Sequence, residues 1–592
     1  MTFVQFSRFG FQTVFSTSCF CLITLSSMNF SVLAQRAPDA GALQQNMQRQ
    51  MQPPSALGLP EPSAPEFVPL DLSKSDTLFI VKRFALTGVT LVAVEAVEQA
   101  LKPWLNREIA FAELQKAMNA IESIYRDKGY LAQATLSPQV LQDGVVRIEV
   151  LEAKLGSVII DRAKESSRFK TDFASSYVTA INQSGEPVNI DRISRSLTIL
   201  NEVPGLSAVS VLEAGEKQGE TNLLVTLKDT NWLMGRAETN NYGSRTTGQW
   251  QTSASASVNN ISGYGDQAFV SGIYAQGSQY TQGSYNFPLG ARGLRTNLSG
   301  SYLKYTNIGE FALNGGEGSA TVLSAELSYP LLREQTTNLN VTARFDNKSY
   351  LNNNLSTGIV VSQYTINNFT LGMSGNHFDG FLGGAVTTAS LGAVLGRLSV
   401  SGRTPSNYGT FVDALGNTNS YLPATFSKLT FNLRREQTIR RDKLFLSTNV
   451  SGQVANVNLN SAEQFYLGGP YGVRAYPVSQ GGGSQGAMLN VELQQKLPYE
   501  TTGFVFFDAG TVQQYKNPYL GWQGLTNAGN LYSLAAAGFG MKYASKGLSV
   551  GTTIAWRVGN NPLYSQTGVA VNADSTNTNP MFWLNLSYQF GR

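Results

Sequence analysis

The chain has 592 residues, only 14% of them charged, with a net charge of +4 at pH 7, against about 25% charged residues in an average soluble domain. Its 31 Phe and 25 Tyr exclude a disordered chain. Beyond about residue 30 no run approaches the roughly 18 apolar residues of a spanning helix, which excludes a helical membrane protein, and without a basic stripe there is nothing for nucleic acid to bind.

The first predicted element is a leader. Arg8 supplies a thin basic start, Val14 to Leu25 an apolar stretch, and Val32-Leu33-Ala34 a small-residue site before Gln35. Residues 1–34 therefore read as a signal peptide cleaved after Ala34. Both cysteines, Cys19 and Cys21, fall inside it, so the mature chain would be free of cysteine and could enter an oxidising compartment without forming disulfides. Residues 35–52 predict one short helix, with Leu43, Met47 and Met51 repeating every four residues. Residues 53–76 hold six of the 21 prolines and predict an extended, semi-rigid linker.

Between Thr77 and Asp229 a mixed α and β pattern occurs twice, in the order βααββ. The first unit, 77–155, opens with a strand over Phe79 to Leu86 and a helix near Ala93 to Lys102. A second helix carries Phe111, Leu114, Met118, Ile121 and Tyr125 on one face and stops at Gly129. Strands over Leu131 to Leu136 and Val145 to Leu151 close it around the turn Asp143-Gly144. The second unit, 156–229, repeats this with a helix lined by Ile190, Ile193, Leu197 and Leu200 and ended by Pro204-Gly205. Each is enough for a small two-layer α+β domain.

Residues 230–592 hold no helical pattern. Leu339, Val341, Ala343 and Phe345 alternate with Asn340, Thr342 and Arg344, and Phe582 to Phe590 alternate likewise. Aromatic residues mark strand ends, and short turns recur at Tyr285 to Gly290, Tyr329-Pro330-Leu331 and Leu497-Pro498-Tyr499. Long polar stretches such as Arg403 to Tyr421 and Tyr515 to Asn530 supply the opposite side, the pattern of a transmembrane antiparallel β-barrel. Sixteen strands would each have roughly 23 residues with their connections, and fourteen or eighteen also fit.

Five segments resemble one family. Tyr125-Arg126-Asp127-Lys128-Gly129-Tyr130-Leu131 followed by Pro138-Gln139-Val140-Leu141 resembles the first POTRA domain of two-partner secretion transporters, the haemolysin-activator and filamentous-haemagglutinin exporters. Leu200 to Gly205 resembles the helix end of their second POTRA domain, and Asn241 to Gly248 the opening of their barrel. Val473-Arg474-Ala475-Tyr476 is similar to the tip of their lumen loop, and Phe506-Phe507-Asp508-Ala509-Gly510 to the wall strand that receives it. Ala475 stands where the family usually has glycine, a departure that bears on how tightly the tip turns and not on the partner of Arg474.

The resemblance implies an outer-membrane β-barrel, two periplasmic POTRA domains, and export of a secreted exoprotein taken up unfolded. It makes Arg474 and Asp508 partners, with Phe506 and Gly510 completing the wall motif. An isolated Asp508 in an apolar strand would be costly, and an arginine fork can meet its carboxylate with two hydrogen bonds. Tyr130, Leu131, Leu136, Pro138 and Gln139 become candidates for client capture by strand addition, and Leu43, Met47 and Met51 line a helix of the right length to plug the lumen. The remaining motifs do not add up to chemistry. Gly482-Gly483-Ser484-Gln485-Gly486 matches a nucleophile elbow, but the lone histidine, His377, sits far away in barrel sequence. No metal, cofactor, nucleotide or nucleic-acid site and no enzyme is expected; the partners are the client and outer-membrane lipid. A barrel-assembly insertase, which usually carries more POTRA units, and a passive porin, which needs none, are the rival readings.

Overall fold

The computed structural model describes residues 38–51, 78–137, 139, 143–162, 167–523, 528–564 and 568–591. The predicted signal peptide, the proline-rich linker 53–76 and Pro138 lie outside the described residues.

Helix α1 (Ala40–Met51) is started by Asp39, whose carboxylate accepts from the Ala42 amide at 3.0 Å. The first α+β unit begins with a split strand. β1 (Phe79–Ile80) pairs with β3 (Glu108–Ile109), while β2 (Arg83–Thr87) enters the main sheet. Between them lies α2 (Val94–Leu101); α3 (Phe111–Asp127), β4 (Ala132–Thr135) and β5 (Val145–Glu152) follow. β5 is central, parallel to β2 and antiparallel to β4. The stripe Leu114, Met118, Ile121 and Tyr125 packs on Val146, Ile148 and Val150, while Phe111, at the first position, stays exposed. Gly129, at φ +77°, ends α3: its amide reaches Arg126 and the Tyr130 amide reaches Tyr125, a closure that a left-handed glycine permits.

Tyr125 also ties this unit together through Glu152. The Glu152 carboxylate accepts from the amides of Thr90 (2.7 Å) and Leu91 (2.8 Å), from the Thr90 hydroxyl, and from the Tyr125 hydroxyl (2.8 Å). Burial alone would raise its pKa, but these donors outweigh burial and hold it below the ordinary glutamate value. A depressed carboxylate stabilises the fold above its unfolded-state value and loses that contribution as pH falls through its folded value. Glu152→Gln should therefore cost about 1 kcal/mol at neutral pH and flatten the acid limb of the stability curve, measured by chemical denaturation of the full chain followed in the POTRA region.

The second unit comprises β6 (Lys154–Arg162), α4 (Thr171–Thr179), α5 (Ile190–Asn201), β7 (Leu206–Ala214) and β8 (Glu220–Asp229). Its sheet runs β6–β8–β7, and Phe169, Tyr177, Ile193 and Leu200 pack on Leu223, Val225 and Leu227. Main-chain bonds stitch the two units. Leu131 donates to the Val188 carbonyl (3.2 Å), Val188 to Ala153 (2.8 Å) and Ile190 to Gly129 (2.8 Å), while within the first unit Ala153 donates to Leu131 (3.0 Å).

Sixteen antiparallel strands close the barrel. They are β9 (Leu233–Asn240), β10 (Gln251–Asn259), β11 (Gln267–Ala275), β12 (Ser278–Pro288), β13 (Arg295–Thr306), β14 (Gly316–Arg333), β15 (Thr337–Asn354), β16 (Ile359–Asp379) and β17 (Ala385–Val400), then β18 (Thr425–Arg440), β19 (Leu444–Ala455), β20 (Gln485–Leu497), β21 (Thr501–Gln513), β22 (Leu531–Ser545), β23 (Leu548–Arg557) and β24 (Met581–Phe590). β24 returns to pair with β9. Outward positions carry exposed apolar residues, as in Phe369, Leu371 and Met373 of β16, the band a bilayer requires. One expected turn is corrected. Tyr329-Pro330-Leu331 lies inside β14, where the register shifts between Pro330 and Leu332, because a proline cannot donate to the ladder and is tolerated at a bulge.

The second unit is fastened to one rim. Arg195 donates to the carbonyls of Pro330 (2.7 Å) and Leu331 (3.2 Å), Arg333 to Glu202 (3.1 Å), and the Lys170 amide to Gly263 (2.9 Å). Because strand direction alternates, the short turns 334–336, 380–384, 441–443 and 498–500 share that rim. The long connections 401–424, 456–484, 514–530 and 558–580 leave the other.

Candidate functional site

Connection 456–484 between β19 and β20 does not stay outside; it folds back into the lumen and is pinned there twice. At its tip the Val473 amide returns to the Leu467 carbonyl (2.7 Å), and Gly469 donates to Tyr476 (3.1 Å). Gly472 is obligatory, since a Cβ there would lie 2.0 Å from the Leu467 carbonyl oxygen. Ala475 is fully buried and is not among the residues with positive φ, so a methyl group is accommodated and the tip turns tightly without glycine at that position.

Arg474 meets Asp508 on β21 through three donors. Its main-chain amide (3.1 Å) and Nε (2.9 Å) reach Oδ2, and Nη2 reaches Oδ1 at 3.0 Å. The fourth acceptor position of this fully buried carboxylate takes Asn490 Nδ2 at 2.9 Å. Nη1 of Arg474 goes to Glu492 (2.7 Å), which also holds Lys542 (2.9 Å). Two cations and two anions thus form one neutral network, the condition under which a buried charge is tolerated. The guanidinium carbon stands 3.5 Å over the Phe506 ring. Phe506, Asp508 and Gly510 share the inner face by strand alternation, and each has a distinct contact: ring, carboxylate, and bare Cα. A Cβ on Gly510 would come within 2.6 Å of Leu467. Val473 and Tyr476 are fully buried in the same cluster. Trp583 Nε1 on β24 donates to the Arg474 carbonyl at 2.7 Å, so the tip touches two well-separated strands.

The second pin is Glu463, buried in the lumen and bonded to Lys348 of β15 and Lys428 of β18, each at 2.8 Å, and to Asn368 of β16 at 2.9 Å. Helix α1 rests on this part of the loop. Asp39 accepts from the Ser461 hydroxyl at 2.6 Å, Gln45 donates to the Ala462 carbonyl, and Gly41 lies so close to Ala462 that a Cβ would meet it at 2.6 Å. On the wall side the Ala40 amide reaches Asn352 (2.9 Å) and Gln44 reaches Ser301 (2.8 Å). Leu43 and Met47 are buried and Met51 partly so, against inward Leu303, Tyr305, Tyr350, Tyr364 and Ile366.

The capture candidates divide. Tyr130 forms a bridge with Asn189, and Leu131 has both main-chain groups in the joint and its side chain against the second unit's core. This corrects their reading as a free edge. Gln139 spends its amide on the main chain of Arg147 (both bonds 2.8 Å), and Leu136 packs partly into the first core. The outward Ala134 amide is taken by Glu122. Among the described residues the more open edge is β7, which pairs only with β8. There Asn201 brackets the main chain of Ala208, so the even positions point outward, and Val209 and Val211 beside them are exposed. Ser484 accepts from the Leu459 amide and donates to the Gln514 carbonyl, both at 3.1 Å, while His377 is exposed on β16 with Thr337 at 2.9 Å; the two are not brought together.

Sequence reasoning missed Asn490, Glu492, Lys542, Trp583 and the whole Glu463 pin. The alternation of β20 carried part of the signal, because Asn490, Glu492 and Gln494 share the polar face and Asn490 lies directly opposite Asp508.

The model of the family described as haemolysin secretion/activation protein ShlB/FhaC/HecB matches residues 219–543, and that of the ShlB-type POTRA domain matches 79–153. The heme/hemopexin transporter protein HuxB of Haemophilus influenzae (strain 86-028NP) is 25% identical over 549 residues, covering 90% of this chain and 93% of that relative. The solved structure of CdiB from Escherichia coli has a TM-score of 0.66 at 19% identity, over 94% of this chain and 100% of that one. CdiB from Acinetobacter baumannii has a TM-score of 0.59 at 17% identity, over 93% and 96%.

Proposed function

This chain belongs to the haemolysin secretion/activation protein family, a two-partner secretion transporter of the outer membrane with its POTRA region in the periplasm, and from that premise we propose how it moves its secreted client. The client is captured unfolded at the outer edge of β7, where main-chain groups of Ser210 and Leu212 add a strand and Val209 and Val211 select apolar side chains. It then threads a lumen from which α1 withdraws, while the Arg474–Asp508 pin holds the loop tip to the wall. No nucleotide is required in this reading, because folding of the client outside draws it forward. The domain limits follow the same reading: a cleaved leader to residue 34, a plug on a tether to residue 76, two POTRA units and a barrel from residue 230.

The observation that carries the proposal is the doubly pinned loop with helix α1 seated on it in the lumen. The capture step has its own test. Proline at Ser210 and Leu212 removes outward donors without touching the β7–β8 ladder. Ser210→Pro/Leu212→Pro should lower client in the culture medium by at least roughly tenfold, with the barrel still heat-modifiable in outer-membrane fractions. Undiminished export would reject β7 as the capture edge.

A further inference from the structure

The rim that carries the second POTRA unit is only half covered. Among the described residues, that unit meets turns near Gly263, Gly293 and Pro330, leaving turns 380–384, 441–443 and 498–500 bare on the far side. On this open arc the lipid-facing apolar band of β15 to β18 ends in one cross-strand row, Thr337, His377, Thr387 and Arg435, each opposite the next. Arg435 is already engaged there, bonded to Asp379 at 2.8 and 3.0 Å.

Just beyond this boundary two features meet. Turn 380–384 folds over β18, with Gln437 donating to the Phe381 carbonyl (2.7 Å), and leaves Phe381 and Leu382 64% and 65% exposed. The turn between β18 and β19 presents Arg440, Arg441 and Lys443, all exposed, and is joined to the end of β20 by the Lys496 amide to the Lys443 carbonyl at 2.8 Å; the Lys496 side chain falls on the lumen side, 5.2 Å from the Phe445 ring. Asp442 and Glu500 are the acidic residues among them, and the Arg441–Asp442 contact is 3.9 Å between two solvated side chains, too loose to neutralise either. Cations thus outnumber anions by three to two next to two large apolar side chains, at the level where hydrocarbon gives way to headgroups.

We propose that this arc binds anionic phospholipid of the periplasmic leaflet, with Phe381 and Leu382 in the acyl boundary and Arg440, Arg441 and Lys443 on the phosphates. The excess positive charge favours a headgroup with net negative charge over a zwitterion, whose ammonium the same residues repel.

The test uses the full-length protein in detergent, titrated with phosphatidylglycerol or phosphatidylethanolamine, with retained lipid counted by native mass spectrometry. The wild type should retain phosphatidylglycerol roughly tenfold better. Arg440→Gln/Arg441→Gln/Lys443→Gln should erase that preference, Arg440→Lys/Arg441→Lys should keep it, and Phe381→Ser/Leu382→Ser should weaken both lipids alike. Equal retention of the two lipids by the wild type overturns the proposal by itself, so it stays decidable if the threefold variant does not assemble. An unchanged preference in an assembled threefold variant also overturns it. So does displacement of phosphatidylglycerol by excess inorganic phosphate, which would identify a site for free anion.

Discussion

Replacing Arg474 with alanine should nearly abolish client export while the barrel still assembles, and it should do so more completely than replacing Asp508. The two losses are unequal because the network is asymmetric. Without Asp508, Arg474 keeps Glu492 at 2.7 Å and its ring contact with Phe506. In Arg474→Ala, the fully buried Asp508 keeps only two uncharged donors, the main-chain amide of residue 474 and Asn490 Nδ2, and no cation against it. Orphaning one member of a buried pair costs about 3–5 kcal/mol, and the lower end fits a lumen that admits water. The double alanine variant should lose less than the sum of the single losses, since both remove one contact. Quantitative immunoblots of client in the medium, beside heat-modifiability of the transporter, read both quantities. Asp508→Asn should fall between wild type and Asp508→Ala, because an amide oxygen still accepts from the guanidinium. Defects that multiply in the double variant would show that the residues act separately.

Deleting residues 38–52 should raise single-channel conductance in planar bilayers severalfold, because a helix of about 10–12 Å diameter leaves the lumen. Leu43→Ala with Met47→Ala is the finer version. Each truncation of a buried apolar side chain costs about 2–5 kcal/mol, which should convert a steadily closed channel into one that flickers between closed and open. Among the described residues the polar contacts of α1 with loop and wall are few: Asn352, Ser301, Ser461 and the Ala462 carbonyl. Its seat is therefore mostly apolar, and a small set of truncations should be enough to unseat it. Conductance identical to wild type after deletion would make α1 a passenger in the lumen.

How far this architecture could be read from residues alone differed by element. Period-two alternation marked the strands of the barrel because lipid on one side and a polar lumen on the other impose opposite demands on successive residues. Tyr125, Gly129 and Tyr130 were recognisable as a motif, but their work is structural: one hydroxyl on Glu152 and a left-handed helix end leading into the joint. That is why strand addition was first expected at Leu131 and not at β7. A sheet order places an edge, and no local pattern distinguishes β4 from β7. Arg474 and Asp508 were legible through motifs 34 positions apart, whereas Glu463 had no motif and becomes meaningful only when the barrel brings Lys348 and Lys428 to it. The seat of α1 left one readable trace. Inward positions of β13 to β16 carry Leu303, Tyr305, Tyr350, Tyr364 and Ile366, where a water-filled lumen would be polar.

The joint between the two POTRA units has a mechanical meaning. Main-chain bonds lock the first unit to the second, and Arg195, Arg333 and Lys170 lock the second to the barrel rim. A strand caught on β7 is therefore held at a fixed distance and angle from the lumen mouth. With the client captured at β7 as proposed, the periplasmic arm would work as a gauge: the stretch of client between its captured strand and the first segment to enter the barrel would have to span one set distance. Clients would be sorted by the spacing of their segments as well as by the chemistry of any one of them, and inserting residues into that stretch would disturb export even with every contact residue unchanged.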